Sequence, residues 1–257
     1  MNIKVVLEYD GTGFSGWQQQ VARRTVEGEL KRALAELTGE RITVYGAGRT
    51  DAGAHAQGQV VNFRLPEGSI PIPRLVAALN AKLPADVSAL RATVVSDAFH
   101  ARYTAIARRY RYRYLDRPAR PALERHRCWH LPGRVDESAM GEAAKALVGR
   151  HDWTSFCSAS EPPASRIRTM RAAAVRRYGE FVELELEAEG FLRGLARGIA
   201  GALVEVGSGR RRPEWLGELL GSRDRKRTAA DFVRTAPARG LTLMEVIYQP
   251  ESAEETS

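Results

Sequence analysis

Apolar residues along the chain change period in a definite order, and that order predicts its elements. Asn2–Tyr9 (NIKVVLEY) alternates and is rich in β-branched residues, the pattern of a strand facing both core and solvent. After Thr25, a candidate cap, Val26, Leu30, Ala33, Leu34 and Leu37 form one stripe at helical spacing. Glu27 and Glu29 lie in its first turn and Gly39 ends it. Arg41–Tyr45 and Gln57–Leu65 read as strands, Pro71 and Pro73 open a helix carrying Leu75, Val76, Leu79 and Leu83, and Val87–Val95 closes as a strand. The order β-α-β-β-α-β is the split βαβ, or ferredoxin-like, arrangement.

Residues 96–106 (SDAFHARYTAI) are a polar-aromatic crossing, where a boundary is expected between an N-terminal domain, 1–104, and a C-terminal one, 105–250. In Arg108–Tyr114 (RRYRYRY) a period of two puts Arg109, Arg111 and Arg113 on one face and Arg108, Tyr110, Tyr112 and Tyr114 on the other. Such tyrosines can stack bases between phosphate-holding arginines, or simply fill a pleated sheet; for Tyr112 and Tyr114 packing is the preferred reading. Asp136 caps a helix expected to run to about Arg150 through Met140, Ala143, Ala144 and Leu147, and Ser155–Thr169 reads as a polar, Pro-interrupted surface loop. Arg171–Tyr178 and Phe181–Glu189 form a hairpin turning at Gly179-Glu180. Phe191, Leu195, Ile199, Leu203 and Val206 then recur at helical spacing, with Gly194, Gly198 and Gly201 thinning that helix for close packing against sheet or nucleic acid. Arg210–Arg212 and Arg223–Arg227 are solvated charge by default, with RNA contact a secondary reading. Leu241–Tyr248 is a last strand, and residues 251–257 are an acidic tail expected to be disordered.

Charge narrows the partners. Lys and Arg number 39 against 31 Asp and Glu, a net +8 with pI near 9.8, which favours a polyanion, and nucleic acid over membrane. Two cysteines, Cys128 and Cys157, exclude a disulfide scaffold. The N-terminus MNIKVVLEYDGTG has neither basic leader nor apolar core, and no apolar run reaches transmembrane length, so a soluble cytoplasmic protein is expected.

The densest chemistry lies in Tyr45–Phe63, YGAGRTDAGAHAQGQVVNF, where two strand-like runs enclose Gly, Arg, Thr, Asp and His. Arg49 and Asp51 sit two apart, so in extended backbone both emerge on one side and the guanidinium can orient the carboxylate; that suits a nucleophile or base. The competing reading is a Thr50–Asp51 Asx turn beside a surface arginine. Gly11, Gly13 and Gly16 spell GxGxxG after a strand, but the polar stretch Trp17–Arg24 follows instead of a helix, so no nucleotide cofactor is expected. His126, Cys128 and His130 alternate in HRCWH without an evident fourth ligand, so no metal is expected.

Taken together, YDGTGFSGWQQQ, TVEGEL, GAGRTDAGAHAQGQVVNF, NAKLPADV, FHARYTAIARRYRY, Ser155-Phe156 and GLTLMEVIY resemble the tRNA pseudouridine synthase A family over nearly the whole chain. The resemblance implies an α+β fold of two ferredoxin-like (βαββαβ-type) subdomains, with mainly antiparallel sheets joined around a central basic active-site cleft. It implies isomerisation of uridine to pseudouridine at positions 38, 39 and 40 of the tRNA anticodon arm, without cofactor, by a homodimer. Asp51 becomes the catalytic residue, which attacks C1′ or removes a 2′ proton. Tyr110, within ARRY, becomes the ring that stacks on the target uridine. Arg49 is expected to orient Asp51 and to occupy the space the base vacates. Arg102, Arg108, Arg109 and Arg197 are expected to hold RNA, and His55 either shuttles a proton or orders its own turn. The chain departs from the family's AFLxxMVRxIVGxLxxVG pattern at Gly190–Gly201, where Arg197 is kept among smaller neighbours. The rival class is a non-catalytic tRNA-binding or folding protein with the same basic surface.

Overall fold

The computed structural model describes residues 1–66, 68–162, 166–230 and 234–249. Its N-terminal half contains β1 (Asn2–Tyr9), α1 (Val26–Thr38), β2 (Tyr45–Gly46), β3 (His55–Arg64), α2 (Ile72–Lys82) and β4 (Val87–Val94). The β4-β1-β3 ladder is antiparallel, with β2 pairing on β3. Thr25 caps α1 by accepting from the Gly28 N–H, and Gly39 ends it in the left-handed region at φ 75°. Leu30 and Leu34 of α1 and Leu75 and Leu79 of α2 are fully enclosed with Ile3, Val5 and Leu7 of β1. The strand expected over Arg41–Tyr45 shrinks to Tyr45–Gly46. Ile42 and Val44 are buried, so their alternation reports packing rather than a hydrogen-bonded ladder.

The second half holds β5 (Ala105–Asp116), β6 (Trp129–Leu131), α3 (Glu137–Ala144), β7 (Gly149–Asp152), β8 (Ile167–Tyr178), β9 (Phe181–Ala188), α4 (Leu195–Gly207), α5 (Glu214–Ser222), α6 (Arg225–Ala230) and β10 (Leu241–Tyr248). β10 runs parallel to β3 and antiparallel to β5, so the last strand joins both halves into one ten-stranded, mainly antiparallel sheet, with eight strands in the order β4-β1-β3-β10-β5-β9-β8-β7 and β2 and β6 pairing off that path on β3 and β5. Helix α4 covers the tyrosine face of β5: Tyr114 donates to the Ala200 carbonyl at 2.9 Å. Tyr112 donates to Pro237 at 2.8 Å. Both rings are core, the packing role expected of them.

Several local expectations change. The helix after Asp136 ends at Ala144 and passes through a tight turn, Lys145–Leu147, because Gly149 at φ 122° cannot continue it; Gly149–Asp152 instead pairs with β8. Ser155–Thr169 is not a surface loop throughout: Ser155, Phe156 and Cys157 are buried, Ser155 donates to the Leu219 carbonyl at 2.7 Å, and Thr169 belongs to β8. Phe191 lies before α4, because Gly194 in the left-handed region at φ 77° breaks the chain direction. Helix α5, which the patterning did not anticipate, buries Trp215, Leu216, Leu219 and Leu220. The tail 251–257 lies outside the described residues.

One enclosed ion pair ties α3 to the sheet. Arg177 of β8 reaches both carboxylate oxygens of Asp116 at 2.8 Å, Val135 donates its N–H to Asp116 at 3.0 Å, and Glu137 pairs with Arg177 at 2.9 Å. Burial opposes ionisation of Asp116, but the Arg177 and Val135 hydrogen bonds outweigh it and hold the carboxyl below its usual range. Removing the carboxylate leaves a mostly buried guanidinium with Glu137 as its remaining carboxylate partner, so Asp116→Ala is expected to cost about 3 kcal/mol in urea unfolding at neutral pH. A depressed folded pKa contributes stability above the unfolded value of about 3.9 and loses it as pH falls. The gap between wild type and variant should therefore narrow below about pH 4; a constant gap would mean the carboxylate's charge is not the source.

Candidate active site

The polar loop between β2 and β3 is held from three sides. Trp17, 4% exposed, donates its backbone N–H to the Thr50 carbonyl at 3.0 Å. The Tyr9 and Thr50 hydroxyls meet at 2.8 Å, and Gln59 donates to the Gly48 carbonyl at 2.7 Å. Gly11 packs so tightly that a β-carbon there would overlap the Ala54 carbonyl. The stretch Gly11–Trp17 is thus the bed of this loop. Its glycines serve close approach of backbone to backbone, which explains a GxGxxG run with no helix after it.

Asp51, a quarter exposed, is set by a residue far away in sequence. Arg197 in the first turn of α4 donates to its Oδ2 at 2.7 Å across 146 residues. The same guanidinium donates to the Ala236 carbonyl at 2.7 Å, so its orientation is fixed before it meets the carboxylate. Arg49 is exposed on the loop. The guanidinium bonded to Asp51 is therefore that of Arg197, because two residues of spacing set a direction only if the backbone is a regular strand, and here it turns.

Tyr110 lies beside this pair, 6% exposed, its ring edge-on to Phe191 with centroids 4.7 Å apart. Burial pushes its phenol up to about 12, against the pull of Arg108 and with a push from the Asp51 carboxylate, so it remains a neutral donor. Arg108, 8% exposed, bonds only backbone carbonyls: Glu189 at 2.7 Å, Arg102 at 2.7 Å, Ala47 at 3.0 Å and Ala105 at 3.3 Å. Burial lowers the pKa of this guanidinium. It is a tie between β5 and the start of the Asp51 loop.

His55 is buried with both ring nitrogens engaged. Nδ1 accepts from the Gly11 N–H at 3.0 Å, which puts the proton on Nε2, facing the carbonyls of His126 at 2.8 Å and Arg239 at 3.1 Å. Arg109 points away from Tyr110 and pairs with Glu187 at 2.8 Å and Glu245 at 2.9 Å. Arg111 and Arg113 likewise face Glu183. The arginine stripe of β5 is thus neutralised by the acidic stripe of β9. Arg102 is exposed, its guanidinium 5.6 Å from the Tyr103 ring centroid.

In the HRCWH segment only Trp129–Leu131 is strand, so the three candidate ligands do not share a face. His130 Nε2 lies 2.7 Å from the Arg117 carbonyl, and Cys128 donates to Glu124 at 3.2 Å. Among the described residues no three His, Cys, Asp or Glu side chains converge to hold a metal. Burial raises the pKa of both thiols, Cys128 and Cys157. No helix among the described residues is long and apolar enough to cross a membrane.

The sequence matches the tRNA pseudouridine synthase family over residues 5–104 and 143–249. It is 40% identical over 247 residues to the tRNA pseudouridine synthase A of Acetivibrio thermocellus, covering 96% of this chain and 99% of that protein. Identity is 41% over 246 residues to the protein of that name from Brevibacillus brevis, with the same coverage of both chains. It is 43% over 248 residues to the one from Moorella thermoacetica, again 96% and 99%.

One residue of this site, Gln59, had no signal of its own beyond that of a strand glutamine, and Arg197, expected to hold RNA, instead pairs with Asp51, a contact between segments that only the fold brings together. Replacing Gly11 with alanine should displace the Ala54 carbonyl and loosen residues 47–54. Amide exchange at Ala47 and Ala54 is expected to accelerate while that of α3 stays as in wild type. Unchanged protection at Ala47 and Ala54 would mean the loop does not depend on this bed.

Proposed function

The chain belongs to the tRNA pseudouridine synthase family, and on that premise we propose that it isomerises uridine to pseudouridine in tRNA with Asp51 as the catalytic residue. The observation that carries the assignment is the Asp51 carboxylate itself: partly exposed, in a loop gripped from three sides, with one oxygen fixed by Arg197 and Tyr110 close by. A pure RNA binder gains nothing from a carboxylate turned toward phosphates, whereas cleavage of a glycosidic bond needs one.

Asp51 either attacks C1′ of the target nucleotide, displacing uracil, or takes the 2′ proton, which also releases the base. The freed uracil turns within the site and C5 bonds to C1′, expelling the Asp51 carboxylate in the first route or with the abstracted proton returned to C2′ in the second; C5 then loses its proton and N1 gains one. Substrate and product have the same atoms, so the reaction consumes no redox equivalent and asks for no cofactor. A uridine in a stem must first leave its stack, which costs a few kcal/mol and has to be offset by contacts in the site. Arg49, exposed on the loop, is suited to fill the vacated space, and Arg102 to hold the adjoining backbone. Arg197 orients the carboxylate, while Arg108 and His55 act on the RNA only through the backbone they position.

The resemblance of the motifs supports positions 38, 39 and 40 of the anticodon arm as targets, a homodimer as the working unit and the cytoplasm as its place. The same reading divides the chain into ferredoxin-like subdomains at about 1–104 and 105–250, with β10 crossing from the second to pair with the first.

The test is site-mapped pseudouridine formation on an unmodified tRNA with uridines in the anticodon arm. Wild type should form product confined to that arm, and Asp51→Asn should bind with unchanged Kd yet form none. Arg197→Met, which leaves the carboxylate unaimed, should lower kcat about 100-fold. Product from Asp51→Asn at the wild-type rate would remove Asp51 from the chemistry, and absence of product from wild type with binding intact would leave an RNA-binding protein.

A further inference from the structure

We infer that Tyr45, His100 and Tyr103, together with Arg102, form an exposed stacking platform for unpaired bases of the RNA next to the target nucleotide. The inference deepens the proposed function and rests on it for the identity of the RNA. Aromatic side chains of this protein are mostly enclosed, but Tyr45 is 47% and Tyr103 75% exposed. They are not scattered. The Tyr45 and His100 rings lie 4.8 Å apart and the His100 and Tyr103 rings 4.4 Å apart, tilted at 45° and 37°, so three rings form one step-like surface. The Arg102 guanidinium extends it, 5.6 Å from the Tyr103 centroid.

The platform is built rather than incidental. His100 Nδ1 accepts the N–H of Arg102 at 3.1 Å and of Tyr103 at 3.4 Å, and the His100 carbonyl takes the Thr104 hydroxyl at 2.7 Å. The segment is anchored below by Asn2, which donates to the Phe99 carbonyl at 3.0 Å. It is also coupled to the catalytic loop. The buried Arg108 guanidinium bonds the carbonyls of Arg102 and Ala47, and Ala47 lies between Tyr45 and Asp51 along the chain. One rigid group therefore sets the spacing between the platform and the carboxylate.

Chemistry selects the occupant. Flat rings beside a guanidinium suit nucleobases and their phosphates, because every base offers a π face and every linkage a negative charge. The arginines of β5 are matched with glutamates, whereas among the described residues neither Arg49 nor Arg102 has an ion-pair partner. Arg49 and Arg102 thus leave positive charge without a carboxylate partner on the loop and on the platform. A second copy of this chain, carrying the same net +8, is a poorer match for such a surface.

The test compares Tyr45→Ala, Tyr103→Ala, Tyr103→Trp and Arg102→Ala with wild type, measuring tRNA Kd at several salt concentrations, KM and kcat for pseudouridine formation, and thermal midpoints. Each tyrosine-to-alanine change should raise Kd and KM about tenfold, with the loss falling on KM rather than kcat. Tyr103→Trp should restore affinity, and midpoints should match wild type because the rings are exposed. The salt slope should be unchanged for the tyrosine variants and shallower by about one for Arg102→Ala. Wild-type Kd and KM in both tyrosine-to-alanine variants would overturn the platform, as would a changed sedimentation coefficient with unchanged Kd, which would assign the face to a second copy. Affinity lost in the variants of a protein that forms no pseudouridine would instead keep the platform and overturn the reaction.

Discussion

The pairing of β10 between β3 and β5 is the constraint on which the rest depends. The strand exchanges hydrogen bonds with both neighbours, running parallel to β3 for Thr242 and Leu243 and antiparallel to β5 over most of its length. Without it β3 and β5 would each present an unpaired edge, and the halves would have no common frame. With it, the loop before β3 and the start of α4 are brought together, and Arg197 can reach Asp51. The chain just ahead of β10 takes part as well, since Ala236 receives a bond from Arg197, and Arg239 one from His55.

The sheet divides labour between its faces. On one, Tyr112 and Tyr114 pack beside α4 and Tyr110 against Phe191 just ahead of it, while Gly198 and Gly201 let the helix press against the backbone of Phe156 and Arg234. On the other, Arg109, Arg111 and Arg113 meet Glu183, Glu187 and Glu245. Cross-strand pairs of this kind contribute modestly one by one, but together they cancel the charge of the most basic strand. Net charge alone therefore overstates how much of the protein is free to meet a polyanion.

Arg108 shows what precision at the site costs. A guanidinium buried without a carboxylate is unfavourable, as its lowered pKa records, and four carbonyls offset that only in part. The return is geometric: one planar group links β5, the segment at Arg102, the end of the β8–β9 hairpin at Glu189 and the first residue of the Asp51 loop. His55 performs a similar service with its two nitrogens, and Trp17 with its backbone N–H.

By itself the sequence determined the elements, because apolar period is a local property: α1 with its Thr25 cap, the alternation of β1 and β5, and the hairpin at Gly179 all follow from neighbours a few residues apart. It also marked Asp51, since a Gly-rich loop dense in charge is visible without a fold. Tertiary structure decided what each polar residue touches. Arg108 and Arg109 are adjacent and identical, yet one is sealed among carbonyls and the other paired with glutamates, because a strand turns successive side chains to opposite faces and only packing says what lies there. Arg197 rather than Arg49 meets Asp51 for the same reason: hydrogen bonds are satisfied in space, and the partner 146 residues away is near only once β10 has closed the sheet.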